Sequence, residues 1–200
     1  MRVAIIGAGL SGLAAAKTLK ALDHEVRVFE KASHVGGRCS TRVIDEFVFD
    51  TGASSFAPRG RELEPVMLTT LDTSDLCVVE KPVYMHESLR LSPGDPIKNR
   101  MTRYCYSPGN QKLPELLAED LDVQLDTHIE HLEFTGSTYQ IVGETFDAAI
   151  LTQPAPQALE LLETAGIDRP LGFCKFRSCL AVSVGYKMEL DDVPYHALIE

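Results

Sequence analysis

Two hundred residues, 44% of them hydrophobic and 24% charged, carry enough apolar surface for one good-sized core, which excludes a disordered or collagen-like chain. The formal net charge is −10 and unevenly placed, with 8 Lys and Arg against 6 Asp and Glu over residues 1–60 and 11 against 23 over residues 61–200. An acidic chain without a basic cluster repels phosphate backbones, so nucleic acid is not an expected partner.

Five cysteines, Cys39, Cys77, Cys105, Cys174 and Cys179, include no C-x-x-C pair. They fit reduced, packed thiols rather than a disulfide framework or a zinc site, and no metal is expected. The N-terminus lacks the longer apolar stretch and cleavage site of a signal peptide. No apolar run approaches the ~18 residues of a membrane span. A cytoplasmic protein without a membrane partner is the expectation.

In chain order, residues 3–6 are a continuous apolar run ending at Gly7, as suits a strand buried on both faces of a parallel sheet. Residues 10–22 place Leu13, Ala16, Leu19 and Leu22 at helical spacing, with alanines adding helix propensity. After a turn at Asp23-His24, residues 25–30 largely alternate polar with apolar, as a second strand would. Residues 31–42 read as loop and 47–50 as a short strand. A helix is expected over 61–71, strands over 76–80 and 83–91, and a turn at Ser92-Pro93-Gly94-Asp95-Pro96. Next come a strand at 101–106, a turn at 107–110 and a helix over 113–121. Short strands follow at 123–126, 129–134, 139–142 and 148–151, then a proline-started helix over 154–165 and a strand over 180–186.

This order predicts an α/β chain in which a Rossmann-like parallel sheet is interrupted by an inserted antiparallel α+β domain. Residues 1–56 and 107–156 are assigned to the dinucleotide-binding domain, and 57–106 and 157–200 to a partial substrate domain.

The chemistry concentrates at Gly7-Ala8-Gly9-Leu10-Ser11-Gly12, a G-x-G-x-x-G between a strand and a helix. Gly7 permits the tight turn, Gly9 lets backbone approach a pyrophosphate, and Gly12 lets the helix lie close on the strand. The helix N-terminus adds free N–H groups and partial positive charge. Glu30, eighteen residues after Gly12, is placed to accept hydrogen bonds from both hydroxyls of a ribose, and it would repel the extra phosphate of NADP. The following run, Lys31 to Gly36-Gly37-Arg38, can fold its backbone near the pyrophosphate with the Arg38 guanidinium on anionic oxygen, which favours FAD over NAD.

With Gly52-Ala53-Ser54-Ser55-Phe56, Tyr104-Cys105-Tyr106-Ser107-Pro108-Gly109 and Gln153-Pro154-Ala155-Pro156-Gln157-Ala158, these motifs resemble the FAD-dependent amine-oxidase superfamily, most closely its renalase-like branch. The resemblance implies FAD as cofactor, Gly52 near the flavin and Ile129, on a strand, against the adenine. It also implies hydride transfer from a C–H next to nitrogen, molecular oxygen as acceptor and a small-molecule substrate, a dihydronicotinamide or an amine. The candidate cofactor-binding residues are therefore Gly7, Ala8, Gly9, Leu10, Ser11, Gly12, Glu30, Lys31, Gly37, Arg38, Gly52 and Ile129. No catalytic acid or base stands out. His86 and His196 are isolated, Asp191-Asp192 reads as a solvated turn, and surface charge explains Arg100 and Arg103 as well as an anionic substrate does.

Members of that superfamily are longer and end in a strand-helix motif with a Gly-Asp pair, and nothing after Gly172 matches it. A C-terminally incomplete chain is expected, leaving a sheet edge and an apolar face for a second copy or a complementing chain. The alternatives are an inactive flavin-binding remnant and an NAD-dependent dehydrogenase.

Overall fold

The computed structural model describes residues 1–170, 172–177, 179–188 and 192–199. In chain order the elements are β1 (Arg2–Ile6), α1 (Leu10–Ala21), β2 (Glu25–Phe29), a 3-10 turn (Gly37–Cys39), β3 (Thr41–Ile44) and β4 (Phe47–Asp50). Then come α2 (Gly60–Pro65) running into a π turn (Val66–Thr70), β5 (Leu76–Val79), β6 (Val83–Glu87), β7 (Arg90–Pro93), α3 (Pro96–Asn99) and β8 (Arg103–Tyr106). The remainder is α4 (Lys112–Ala118), β9 (Asp122–Gln124), β10 (Glu133–Phe134), β11 (Tyr139–Ile141), β12 (Glu144–Phe146), β13 (Ala148–Leu151), α5 (Ala155–Thr164) and β14 (Ala197–Ile199). The chain divides into two compact units, Met1–Ser40 with Gln111–Ala181, and Thr41–Asn110 with Val182–Glu200. Among the described residues no helix is long and apolar enough to cross a membrane.

The first unit is built on a four-stranded sheet in the order β13-β1-β2-β9, every pair parallel. β1 is apolar throughout because both of its faces are covered. Val3 and Ile5 pack with Leu13 and Ala16 of α1 and with Leu117 of α4. Ala4 and Ile6 turn the other way, onto Phe29, Leu132, Ile141, Phe146 and Leu161. The two-residue period of the strand thus feeds two separate cores. α1 buries the small residues Gly12 and Ala16, and just beyond its C-cap Leu22 the chain turns at Asp23, which adopts the left-handed conformation with φ 59°.

The antiparallel meander β10-β11-β12 covers the second face, with Phe146 edge-to-face on Phe29 at 5.9 Å. Its anchor is ionic. Glu144 of β12 takes hydrogen bonds from both Arg2 and Arg27, and these arginines also reach Glu25 and Asp122 at 2.8 and 2.7 Å. The Arg2 guanidinium lies 4.7 Å above the Phe146 ring.

The hydrogen bond from Arg2, with the charge of Arg27 beside it, holds the Glu144 carboxyl below its ordinary 4.5. A carboxyl lowered in the folded state adds stability above its unfolded pKa and loses it as pH falls through the folded one. Acidification below about pH 4.5 is therefore expected to depress the melting temperature of the wild type more steeply than that of Glu144→Gln. Thermal melts across that range check this, and equal slopes would contradict it.

The second unit contains the β3-β4 hairpin, the β5-β8 pair and the sheet β14-β6-β7. Asn110, fully buried, fixes the turn after β8: its Oδ1 accepts from Tyr106 N–H, its Nδ2 donates to Ala53 O, and its own N–H donates to Asp50. Helix α2 passes into the π turn directly after Pro65, where Leu71 N–H bonds back to Val66 O.

Several expected elements differ: residues 41–42, expected as loop, open β3, the helix expected over 61–71 gives way to the π turn after Pro65, and Ser92-Pro93 of the expected turn end β7. Residues 83–91 form a hairpin, not one strand, because Ser88 and Leu89 both take positive φ (49° and 65°), the geometry of a two-residue β-turn. Of residues 129–134 only Glu133 and Phe134 pair as strand. Ile129 and Leu132 both enter the core, and a spacing of three is incompatible with strand alternation. Ile129 is therefore buried in irregular chain rather than placed on a strand. Residues 180–186 join no ladder, so alternation there lacks the partner that makes a strand. Asp191 of the expected Asp191-Asp192 turn lies outside the described residues, while Asp192 pairs with Lys81.

Candidate dinucleotide site

The connection after β1 runs through α1 to β2 on one side, and β13 arrives on the other. Strand order therefore reverses at β1, and the crevice beyond the carboxyl ends of β1 and β13 is where open α/β sheets hold ligands. Gly7 to Gly12 lie on one wall and Thr152-Gln153 on the other. Thr152 is a tie that sequence reasoning missed. Its N–H donates to Ile6 O at 3.0 Å, and its Oγ1 lies 2.9 and 3.0 Å from the Ile6 and Gly7 carbonyls. The signal was available in principle, as the first polar residue after the strand that pairs with β1.

The three motif glycines are glycine for different reasons. Gly7 has φ +107°, and a Cβ there would stand 2.7 Å from Thr152 Oγ1. A Cβ on Gly12 would stand 1.9 Å from the Gly7 carbonyl oxygen, so only glycine lets α1 approach β1. Gly9 is unlike both. Its φ of −75° is ordinary, and a Cβ would meet nothing nearer than Gly36 O at 4.0 Å. The protein itself does not demand glycine at this position.

Gly9 is the N-cap of α1, with no side-chain capping bond and no acidic residue in the first turn. With no side-chain cap, N–H groups of the first turn such as those of Ser11 and Gly12 are left for an anion. Leu10 and Ser11 sit on this turn and are exposed.

The loop carrying Gly36 and Gly37 folds back onto this turn. Gly36 N–H donates to Ala8 O at 2.9 Å, Gly36 and Gly9 form a parallel bridge, and both loop glycines have positive φ. Gly37 and Arg38 open the 3-10 turn and are exposed, as is Lys31. Cys39 behind them is buried.

Glu30 is 8% exposed, just past β2. Its Oε2 accepts from Ala8 N–H at 2.8 Å and its Oε1 from Ala32 N–H at 2.9 Å. The Ala8 amide is therefore committed to orienting Glu30. A carboxylate offers about four acceptor sites, and two are used here. One remains on each oxygen, which suits a pair of neighbouring hydroxyls. On the far wall, Gln153 Oε1 is buried with no hydrogen-bond partner.

Gly7, Ala8, Gly9, Leu10, Ser11, Gly12, Glu30, Gly37 and Arg38 thus come together in the first unit, as does Ile129 in its core. Gly52 belongs to the second unit, exposed in the bend after β4. His86 lies on β6, His196 immediately before β14 and Arg103 on β8, with the Arg103 guanidinium donating to Lys98 O. No cluster of three metal-ligating side chains forms among the described residues.

The residues present fit FAD: a Cβ-free approach at Gly9, uncapped helix N–H groups for the pyrophosphate, and a buried carboxylate with two open acceptor sites for the adenosine ribose.

Comparison with known proteins agrees with this geometry. Residues 5–68 match the family of NAD(P)-binding Rossmann-like domains. A 4,4'-diapophytoene desaturase (4,4'-diaponeurosporene-forming) of Staphylococcus aureus (strain Newman) is 50% identical over 52 residues, 26% of this chain and 10% of that protein. Among solved structures, reduced UDP-galactopyranose mutase aligns with a TM-score of 0.66 at 14% identity, over 80% of this chain and 57% of that one. Wild-type putrescine oxidase bound to putrescine aligns with a TM-score of 0.59 at 17% identity, over 80% and 60%. The chain spans about a tenth of the length of the curated relatives it matches and about three fifths of these solved chains. It is an α/β protein whose parallel-sheet fold is similar to that of these solved oxidase and mutase chains, and its residues 5–68 match the NAD(P)-binding Rossmann-like domain.

Proposed function

We propose that this chain carries the cofactor-binding site of an FAD-dependent oxidoreductase of the amine-oxidase type, renalase-like, acting on a dihydronicotinamide or an amine. The observation that carries this reading is Gly9, whose missing Cβ serves no packing need of the protein and so leaves room for a bound group. In this reading the α1 N-terminus holds the pyrophosphate and Glu30, oriented by the Ala8 and Ala32 amides, binds the ribose. The Gly36-Gly37 backbone lines the same channel, and Arg38 neutralises phosphate charge. The second unit, which carries Gly52, is the substrate domain.

The chemistry FAD supplies when bound is acceptance of a hydride from a substrate C–H next to nitrogen and delivery of the electron pair to dioxygen, giving hydrogen peroxide. The protein excludes water from Glu30 by burying it and keeps the ribose acceptor pre-oriented. Desaturase, oxidase and mutase names recur among the similar proteins. The fold alone therefore does not select the reaction.

The test is spectroscopic and catalytic together. Protein purified with added FAD is expected to show flavin bands near about 370 and about 450 nm and to release peroxide with a dihydronicotinamide or an amine. Flavin binding without peroxide release would overturn the oxidase reading and leave dinucleotide binding as the activity of this chain. A colourless protein stabilised against heat by NAD would overturn the flavin reading.

A further inference from the structure

Cys77 on β5 and Cys105 on β8 stand directly opposite each other in an antiparallel ladder, so both side chains leave the sheet on the same face. Ser107 N–H donates to Asp75 O across this ladder, which makes 75/107 a hydrogen-bonded pair and, two residues along, Cys77/Cys105 another. The outer edge of β8 agrees, because Tyr104 exchanges both backbone hydrogen bonds with Phe56 rather than with β5. At such a pair the Cα atoms are about 5.5 Å apart, inside the roughly 4.4–6.8 Å that a disulfide spans. The Cβ atoms, at about 5 Å, are farther apart than the ~3.8 Å of a relaxed disulfide. Closure must draw the strands together, and a strained bond is readily reduced.

The two thiols are not equivalent. Cys77 is exposed and Cys105 half-buried. Burial, with the charges of Cys77 and Asp50 nearby, pushes the Cys105 thiol up. A dissolved oxidant therefore meets Cys77 first, and Cys105 waits behind it as the resolving thiol.

We propose that Cys77 and Cys105 are a reversible thiol–disulfide pair oxidised by small hydroperoxides. The Cys77 sulfur attacks the peroxide O–O bond, giving a sulfenic acid and one water. The Cys105 sulfur then attacks the sulfenic sulfur: the S–S bond forms, the S–O bond breaks, and the Cys105 proton leaves with the hydroxyl as a second water. Two thiols lose two electrons and one hydrogen peroxide is reduced to two waters. The closed bond ties β5 to β8 and encloses β6, β7 and α3 in a covalent loop. The inference stands independently of the flavin chemistry, although peroxide from that reaction would serve as oxidant.

The experiment exposes the reduced full chain to hydrogen peroxide, blocks the remaining thiols and maps the tryptic peptides without reductant. The expected result is a Cys77–Cys105 linked pair about 2 Da lighter than the sum of its two peptides, loss of two titratable thiols, and full recovery with dithiothreitol. Cys77→Ser, at an exposed position, should abolish the link. The proposal is overturned if Cys105 stays titratable, if Cys77 stops at a sulfenic or higher acid, or if it links to Cys174, Cys179 or a second copy.

Discussion

Alanine at Gly9 and alanine at Gly12 are expected to fail in opposite ways. At Gly12 the new Cβ would stand 1.9 Å from the Gly7 carbonyl oxygen and 3.0 Å from Thr152 Oγ1. The Gly7 carbonyl is held in place by Thr152 Oγ1, so α1 must lift from β1, and a loss of about 3 kcal/mol or more in stability follows. At Gly9 the backbone already has φ −75° and the nearest atom is 4.0 Å away. Stability should then change by less than about 0.5 kcal/mol, as for a substitution that disturbs no packing. Dinucleotide affinity should nonetheless fall at least about tenfold, because the methyl occupies the pyrophosphate's approach. Urea melts paired with calorimetric titration separate the two effects. A Gly9→Ala variant that keeps full affinity would remove the main support for a ligand in this crevice.

Glu30→Ala is expected to reduce both stability and affinity. The carboxylate satisfies the Ala8 and Ala32 amides, and Ala8 is fully buried. Two donors left without a charged acceptor cost about 2–4 kcal/mol in total. The ribose hydrogen bonds add about 1–3 kcal/mol of lost adenosine affinity. Glu30→Gln retains one acceptor oxygen, so it should fall between wild type and Glu30→Ala on both measures. If Glu30→Ala unfolds at the same urea midpoint as wild type, the two backbone hydrogen bonds carry no weight. If it binds as tightly, Glu30 is not the ribose acceptor.

The part of the fold legible in the sequence is the part written in local periods. β1, α1 and β2 announce themselves through an apolar run, helical spacing and alternation, and the glycine pattern fixes where each meets the next. The hairpin at Ser88-Leu89 was not legible, because neither residue is one that usually adopts positive φ. Residues 180–186 carry the strand pattern without a strand, since pairing is a property of the partner as much as of the segment.

Long-range ties were also invisible. Glu144 joins Arg2 and Arg27 across 142 and 117 residues, and Thr152 reaches the Gly7 carbonyl across 145. Nothing local marks either. In the site, residue types were readable while the division of labour was not. Ala8, expected beside the pyrophosphate, spends its amide on Glu30, and Gly9 proves to be the glycine that the protein's own packing does not require.

The most direct measurement is calorimetric titration of FAD, ADP and FMN into the wild-type chain and Gly9→Ala. FAD and ADP share the adenosine diphosphate that this crevice fits, and FMN lacks it. The account predicts that FAD and ADP bind the wild type, that FMN does not, and that both affinities fall at least about tenfold in Gly9→Ala. FMN binding as tightly as FAD, or FAD binding unchanged by Gly9→Ala, would contradict it.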